Sequence, residues 1–80
     1  MKITFLKSAE KALRSYDNPT QVNIAKAISR LPGGDIKKLQ GKKNLSLYRL
    51  RVGKYRIIFE LNSNEIVITK IDSRGDVYKN

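Results

Sequence analysis

The chain has 80 residues, with 17 Lys and Arg, 7 Asp and Glu and no His, which gives a formal net charge of +10. A chain of this length forms one small domain, expected to span residues 1–80. The lack of Cys and His excludes disulfides, thiolate zinc sites, Ser-His-Asp triads and two-histidine ribonuclease chemistry, while the charge predicts a polyanionic partner.

The first seven residues do not have the pattern of a secretory signal, since charges follow the short apolar stretch at once. No segment approaches the length of a membrane span. We therefore expect a soluble, cytoplasmic protein.

Residues 2–6 are rich in Ile, Thr and Phe and predict a short strand. Ser8 occupies a position typical of a helix N-cap. A short helix is predicted to follow and to break at Asp17, because its apolar residues have the spacing of one helix face. They are Ala9, Ala12, Leu13 and Tyr16.

A second helix is predicted with Asn18 as its N-cap and Pro19 at its first position, where the missing N–H is harmless. It is expected to end at residues 32–34, Pro-Gly-Gly. Its apolar stripe comprises Val22, Ala25, Ile28 and Leu31, widened by Ile24 and Ala27. The short connection predicts an antiparallel helical hairpin, which needs a sheet to pack against.

From Leu45 the apolar period changes to two, which predicts strands. Gly53-Lys54 has the order of a two-residue hairpin turn with Gly first, so the next strand runs over residues 55–61. After a turn at 62–64, residues 65–71 show little alternation, as expected of a central strand. A turn over 72–75 and a short strand at 77–78 are expected to follow.

The predicted fold class is α+β, with two layers and the order β-α-α-β-β-β. The antiparallel helical hairpin covers one face of a mainly antiparallel, four-stranded twisted sheet. The other face is open. The two-residue turn sets Arg51 opposite Arg56 and Leu50 opposite Ile57, with Arg49 on the arginine face.

Like charges that are directly opposed destabilise a sheet, so the arginine pair favours an anion-binding role. Residues 37–59 contain eight cations and no Asp or Glu. This segment predicts phosphate binding; the alternative is that its charge only aids solubility. The cations are Lys37, Lys38, Lys42, Lys43, Arg49, Arg51, Lys54 and Arg56.

Arginine binds phosphate bidentately and stays charged, which favours binding and transition-state stabilisation over proton transfer. These roles are predicted for Arg49, Arg51, Arg56 and Arg74. Tyr78 has two interpretations: an aromatic that completes the core, or a phenol that acts as general base or stacking platform near the arginines. Asp72 and Asp76 flank Arg74 and are expected to form a turn.

The chain resembles the RelE/ParE superfamily of bacterial type II toxins. The resemblance rests on Leu39-Gln40-Gly41, on "Tyr-Arg-Leu-Arg-x-Gly-x-Tyr-Arg" from residue 48, and on "Arg-Gly-Asp-Val-Tyr" from residue 74. It implies an endoribonuclease that cuts mRNA in the ribosomal A site. In that reaction the ribose 2′-OH attacks the adjacent phosphate, with no metal and no cofactor.

The resemblance carries over residue by residue to catalytic roles for Arg51, Arg56, Arg74 and Tyr78. Two positions depart from the family pattern. Ser73 stands where many members have His, and Arg51 stands where a Lys would serve as general base. The implied partners are a cognate antitoxin, the ribosome with its rRNA, and mRNA.

Two other functions stay open. One is a gyrase poison of the ParE type, since a fold does not determine its target. The other is a catalytically degenerate, basic nucleic-acid-binding module, which the departures at Arg51 and Ser73 suggest. Binding to a membrane surface is disfavoured, because no predicted helix is both strongly basic and strongly amphipathic.

Overall fold

The structure is a computed structural model that describes residues 2–39 and 46–73. These residues form β1 (Lys2–Phe5), α1 (Lys7–Arg14), α2 (Asn18–Ser29), β2 (Ile36–Lys38), β3 (Leu47–Val52), β4 (Tyr55–Leu61) and β5 (Glu65–Ser73). The strands form one sheet in the order β1-β5-β4-β3-β2. Only β1 and β5 run parallel within it; the other neighbours are antiparallel. The predicted α+β class and mainly antiparallel sheet are confirmed.

The described ranges contain five strands rather than the predicted four, because β2 was not anticipated. This strand pairs Ile36 with Leu50 and Lys37 with Arg49 at the edge of the sheet. Three residues are too few to show a hydrophobic period, so the sequence did not reveal it. The strand expected at 77–78 lies outside the described residues.

Both helices begin earlier than expected. The backbone N–H of Leu6 still donates to the Ile68 carbonyl at 2.9 Å, and Leu6 holds the cap position of α1, so Ser8 lies inside the first turn. Asp17, not Asn18, caps α2, because its carboxylate accepts the backbone N–H of Thr20 at 3.2 Å. The helix α2 also ends sooner, at Ser29.

The predicted stripe of α1 is confirmed: Ala9 is fully buried, and Ala12, Leu13 and Tyr16 pack against the core. The predicted stripe of α2 is partly wrong. Ile24 and Ile28 are buried, whereas Val22 is 51% exposed. Successive residues of an α-helix are about 100° apart around its axis. Residues that repeat strictly every three positions therefore drift around the helix and cannot all face the sheet.

The side of the sheet that faces the helices consists mainly of buried apolar residues. They are Leu50, Ile57, Phe59, Ile66, Ile68 and Ile71. The ladder between β4 and β5 shifts register between Ile58 and Phe59, which leaves Thr69 as the extra residue. This bulge explains why β5 lacks simple alternation, since it returns apolar residues to the helix-facing side.

The β3–β4 hairpin has the predicted register: Val52 pairs with Tyr55, and Arg51 with Arg56. Gly53 has a φ of +61°, the left-handed value that its place in the turn requires. Neither α1 nor α2, the helices of the described ranges, has the length and apolar character of a membrane span.

Candidate nucleic-acid interface

The side of the sheet away from the helices, here called the open face, carries the arginines of the hairpin. Side chains alternate along each strand, and paired residues of antiparallel strands point to the same side. Since Leu50 and Ile57 pair on the buried side, Arg51 and Arg56 pair on the open face. Arg51 is exposed and Arg56 is half-buried. The predicted arginine pair is therefore present.

Arg49 joins this pair on the open face, because it is two residues from Arg51 along β3. Its side chain is only 17% exposed, and its guanidinium lies 4.0 Å from the Asp35 carboxylate. No described residue accepts a hydrogen bond from its buried Nε. Lys37 pairs with Arg49 across β2 and β3 and is exposed on the same face. Arg49 thus keeps hydrogen-bonding capacity beside its acidic neighbour.

Asp72 was expected in a turn and lies instead within β5, opposite Arg56. One carboxylate oxygen is 3.7 Å from the amine of Lys70, which shares the open face. The other is buried without a hydrogen-bond donor among the described residues. The acid-free segment predicted from the sequence is thus not an acid-free surface, because strand pairing brings Asp72 back to the arginines.

Two of the predicted phosphate-binding lysines lie away from the open face. Lys38 pairs with Tyr48 on the helix-facing side, with its amine 6.0 Å from the centre of the Tyr48 ring. Lys54 lies in the hairpin turn, with its amine 5.6 Å from the centre of the Tyr55 ring. The structure therefore does not bring these two lysines to the arginines: strand alternation turns Lys38 to the other face, and Lys54 belongs to the turn between the two strands. Their phosphate-binding roles stay predictions.

Four predicted site residues and one flanking acid lie outside the described residues. They are Lys42, Lys43, Arg74, Tyr78 and Asp76. Their roles stay predictions.

The described tyrosines belong to the helix-facing side. The rings of Tyr16 and Tyr55 are 4.9 Å apart, and Tyr48 stacks on Phe59 with ring centres 5.5 Å apart. Burial, followed by the charges that Tyr55 and Asp72 carry when ionised, raises the pKa of Tyr16. These phenols serve packing, so the open face within the described ranges offers arginine, lysine and carboxylate groups.

The chemistry available on this face is anion binding by fixed cations. Guanidinium groups bind phosphate oxygens through two parallel hydrogen bonds, and their charge does not depend on pH in the working range. Two opposed guanidiniums can therefore stabilise negative charge that develops on a phosphate. Within the described ranges, no cluster of three Asp or Glu side chains is arranged to hold a metal ion.

Three residues of the open face were not assigned to the site from the sequence: Asp35, Lys70 and Asp72. Asp35 precedes β2, whose existence was not predicted. Lys70 and Asp72 follow the bulge, where alternation counted from the start of β5 gives the wrong face. Only the two-residue spacing of Lys70 and Asp72 hinted that they share a side.

The chain is similar to known toxins of type II toxin-antitoxin systems along nearly its whole length. The family model for the ParE toxin of the type II toxin-antitoxin system parDE matches residues 3–78. Toxin RelE3 of Methanocaldococcus jannaschii is 31% identical over 86 residues, covering 98% of this chain and 96% of the relative.

Two solved structures share the fold at similar identity. A chain in the archaeal RelE–RelB complex from Pyrococcus horikoshii OT3 has a TM-score of 0.76 and 29% identity, covering 92% of this chain and 94% of its own. A chain in the RelB–RelE antitoxin–toxin complex from Methanococcus jannaschii has a TM-score of 0.75 and 29% identity, covering 95% of each.

Proposed function

Because this chain belongs to the ParE toxin family of type II toxin-antitoxin systems, within the RelE/ParE superfamily, we propose that it is a ribosome-dependent mRNA endonuclease. The substrate is mRNA in the ribosomal A site. The ribose 2′-hydroxyl gives up its proton as its oxygen attacks the adjacent phosphorus, and the bond from phosphorus to the 5′-oxygen breaks. The products are a 2′,3′-cyclic phosphate and a 5′-hydroxyl, formed when the leaving oxygen takes up a proton. The reaction we propose uses no metal and no cofactor.

The observation that carries this proposal is the pairing of Arg51 with Arg56 on the open face. Opposed like charges reduce the stability of a sheet, so the pair has no structural benefit by itself. Asp72, opposite Arg56 in the neighbouring strand, offsets part of this repulsion. An RNA phosphate between or above the two guanidiniums would offset the rest. The pair therefore favours a function in which a phosphate is bound at this position.

The proposed roles follow from burial. Arg56 is half-buried in a central strand, so it is a well-positioned group to bind the scissile phosphate and stabilise its transition state. Arg51 is exposed and faces the same phosphate. Arg49 and Lys37 bind flanking phosphates. Proton transfer and further charge stabilisation fall to Tyr78 and Arg74, through the family resemblance alone.

We further propose a cognate antitoxin as partner, because the similar archaeal proteins were solved as RelE–RelB complexes. An acidic or amphipathic antitoxin segment would cover the open face and neutralise its charge. The toxin is then inactive in the complex and acts when the antitoxin is lost.

The test is cleavage of mRNA on purified ribosomes that carry a defined A-site codon. Wild type, Arg56→Gln and Tyr78→Phe are compared with Lys11→Gln, which removes one exposed charge from α1 far from the open face. We expect cleavage by wild type and by Lys11→Gln. Removing one preorganised oxyanion donor costs about 10²–10³-fold in rate, the loss expected for Arg56→Gln. Equal rates in all four proteins would contradict the proposal.

The family description favours a second candidate, a gyrase poison of the ParE type. The two targets are separated by expressing the toxin in cells. Mapped 5′ ends of transcripts reveal mRNA cleavage, while gyrase-linked DNA breaks reveal gyrase poisoning. New DNA breaks with unchanged mRNA ends would reverse the assignment.

A further inference from the structure

A groove of about 430 Å³ lies behind the hairpin, between α2 and the β3–β4 turn. Polar groups from both elements line it, including Thr20, Asn23, Lys26, Arg30, Gly53 and Tyr55. Among the described residues, its lining contains two cations and no Asp or Glu. We call it the rear groove, because the arginine pair lies on the opposite side of the same two strands.

The cations of the rear groove form no salt bridge with an acid in the part of the chain that the structure describes. Within the described ranges, the salt bridges join Arg14 with Glu10, Arg49 with Asp35 and Lys70 with Asp72, so Lys26 and Arg30 take part in none. Both side chains are exposed and free to rearrange around a ligand.

Lys54 adds a third cation to this side of the hairpin. Its amine lies 5.6 Å from the ring centre of Tyr55, which lines the groove. The nearby acid, Asp17, already accepts hydrogen bonds from Thr20. These bonds are the main reason that the pKa of Asp17 is lowered, and the charge of Lys54 makes the smallest contribution. The sequence predicts Lys54 among the phosphate-binding residues; in the structure its amine lies beside Tyr55, which lines the rear groove, although Lys54 is not itself among the described lining residues.

Lys26 lies in the last turn of α2 and Arg30 at its C-cap, where cations also stabilise the helix dipole. That role needs no partner from the sheet. It does not explain why the hairpin brings Tyr55 to the groove and holds the Lys54 amine beside the Tyr55 ring. Cations, hydroxyl and amide donors in one concave site match the oxygens of a phosphodiester.

We propose that the rear groove binds a second segment of RNA backbone, separate from the segment held on the open face. This inference rests on the proposed action on RNA and deepens it. RNA would then hold the hairpin on both sides, with the rear groove adding affinity and taking no part in the chemistry. The bound phosphates belong to single-stranded RNA or to ribosomal RNA, which the experiment separates.

The experiment measures equilibrium binding at several salt concentrations, with a single-stranded RNA oligonucleotide in one arm and purified ribosomes in the other. The double variant Lys26→Gln/Arg30→Gln is compared with wild type. Its matched control is Lys7→Gln/Lys11→Gln, which removes the same charge from exposed positions of α1. Cleavage of ribosome-bound mRNA at saturating toxin is recorded in parallel.

We expect the rear-groove variant to bind RNA or ribosomes roughly tenfold more weakly in at least one arm. The slope of log binding constant against log salt concentration should be smaller in magnitude by about 1.5, as for two lost phosphate contacts. The cleavage rate at saturation and the binding of the control variant stay as in wild type. If the rear-groove variant loses affinity for ribosomes alone, the phosphates bound in the rear groove belong to ribosomal RNA. Loss in both arms assigns them to single-stranded RNA.

Binding equal to wild type in both arms would overturn the inference, as would an equal loss in the α1 control. The charge-preserving variant Lys26→Arg/Arg30→Lys is expected to bind like wild type; a loss there would mean that packing, not charge, is responsible. Wild type that binds RNA without cleaving it would refute the proposed nuclease function and leave the rear groove intact.

Discussion

Asp72 lies directly opposite Arg56 in the ladder between β4 and β5, on the face that carries the arginine pair. The carboxylate brings negative charge to a surface proposed to bind phosphates. It is half-exposed and also lies 3.7 Å from the Lys70 amine. Asp72 therefore balances cations that would otherwise repel one another, and it would compete for them with the RNA that we propose as substrate.

We expect Asp72→Asn to tighten RNA binding, because the variant removes a negative charge and keeps the shape of the side chain. An exposed ion pair contributes up to about 1 kcal/mol, so the dissociation constant should fall about two- to fivefold at low salt. Equilibrium titration with a single-stranded RNA measures this. Weaker binding by Asp72→Asn would show that the carboxylate supports the RNA site rather than competing with it.

Arg51→Gln should raise stability while it weakens RNA binding. Relief of the repulsion between Arg51 and Arg56 adds about 0.5 kcal/mol to the free energy of unfolding, measured by urea denaturation at low salt. The gain should shrink at high salt, where exposed charges are screened. Lys11→Gln is the control for a change in net charge. A stability gain that is equal in both variants would exclude a specific Arg51–Arg56 effect.

Ile24→Ala and Val22→Ala test the orientation of α2. Ile24 is fully buried, whereas Val22 is 51% exposed. Truncation of a buried Ile to Ala lowers the free energy of unfolding by about 2–5 kcal/mol. A change at an exposed position stays within about 0.5 kcal/mol. Thermal or chemical unfolding of the two variants should differ accordingly, and similar losses would contradict the observed helix face.

Tyr16→Phe should reduce the loss of stability at alkaline pH. Burial, then the charges of Tyr55 and Asp72, raise the pKa of Tyr16 above its ordinary value of 10.0 in the folded state. Above that ordinary value the unfolded chain loses the phenol proton before the folded chain does. The stabilisation is thus complete below pH 10.0 and is lost as pH rises towards the folded pKa.

The measurement for this prediction is urea denaturation of wild type and Tyr16→Phe at neutral and alkaline pH. The ring contact with Tyr55 is kept in the variant, so the neutral-pH values report the loss of the hydroxyl alone. Parallel stability curves for the two proteins across the alkaline range would show that Tyr16 does not titrate differently on folding.

Local sequence predicted much of the fold. The period of α1, the two-residue turn at Gly53 and the resulting pairing of Arg51 with Arg56 all depend on residues close in the chain. The predictions were wrong where the local structure depends on contacts between segments that are distant in the chain. The edge strand β2 exists because β3 provides its hydrogen-bonding partner, and the bulge in β5 depends on the packing of β4 against it.

The sequence by itself determined that this is a small, strongly basic α+β domain whose hairpin presents opposed arginines. Only the tertiary structure decided which charges share a surface. Strand alternation sends Lys38 to the side of the tyrosines, and the hairpin turn holds the Lys54 amine beside Tyr55. Pairing with β5 brings Asp72 to Arg56 from outside the basic segment. The reason is physical: electrostatic interaction depends on distance in space, and sheet register, not chain order, sets that distance.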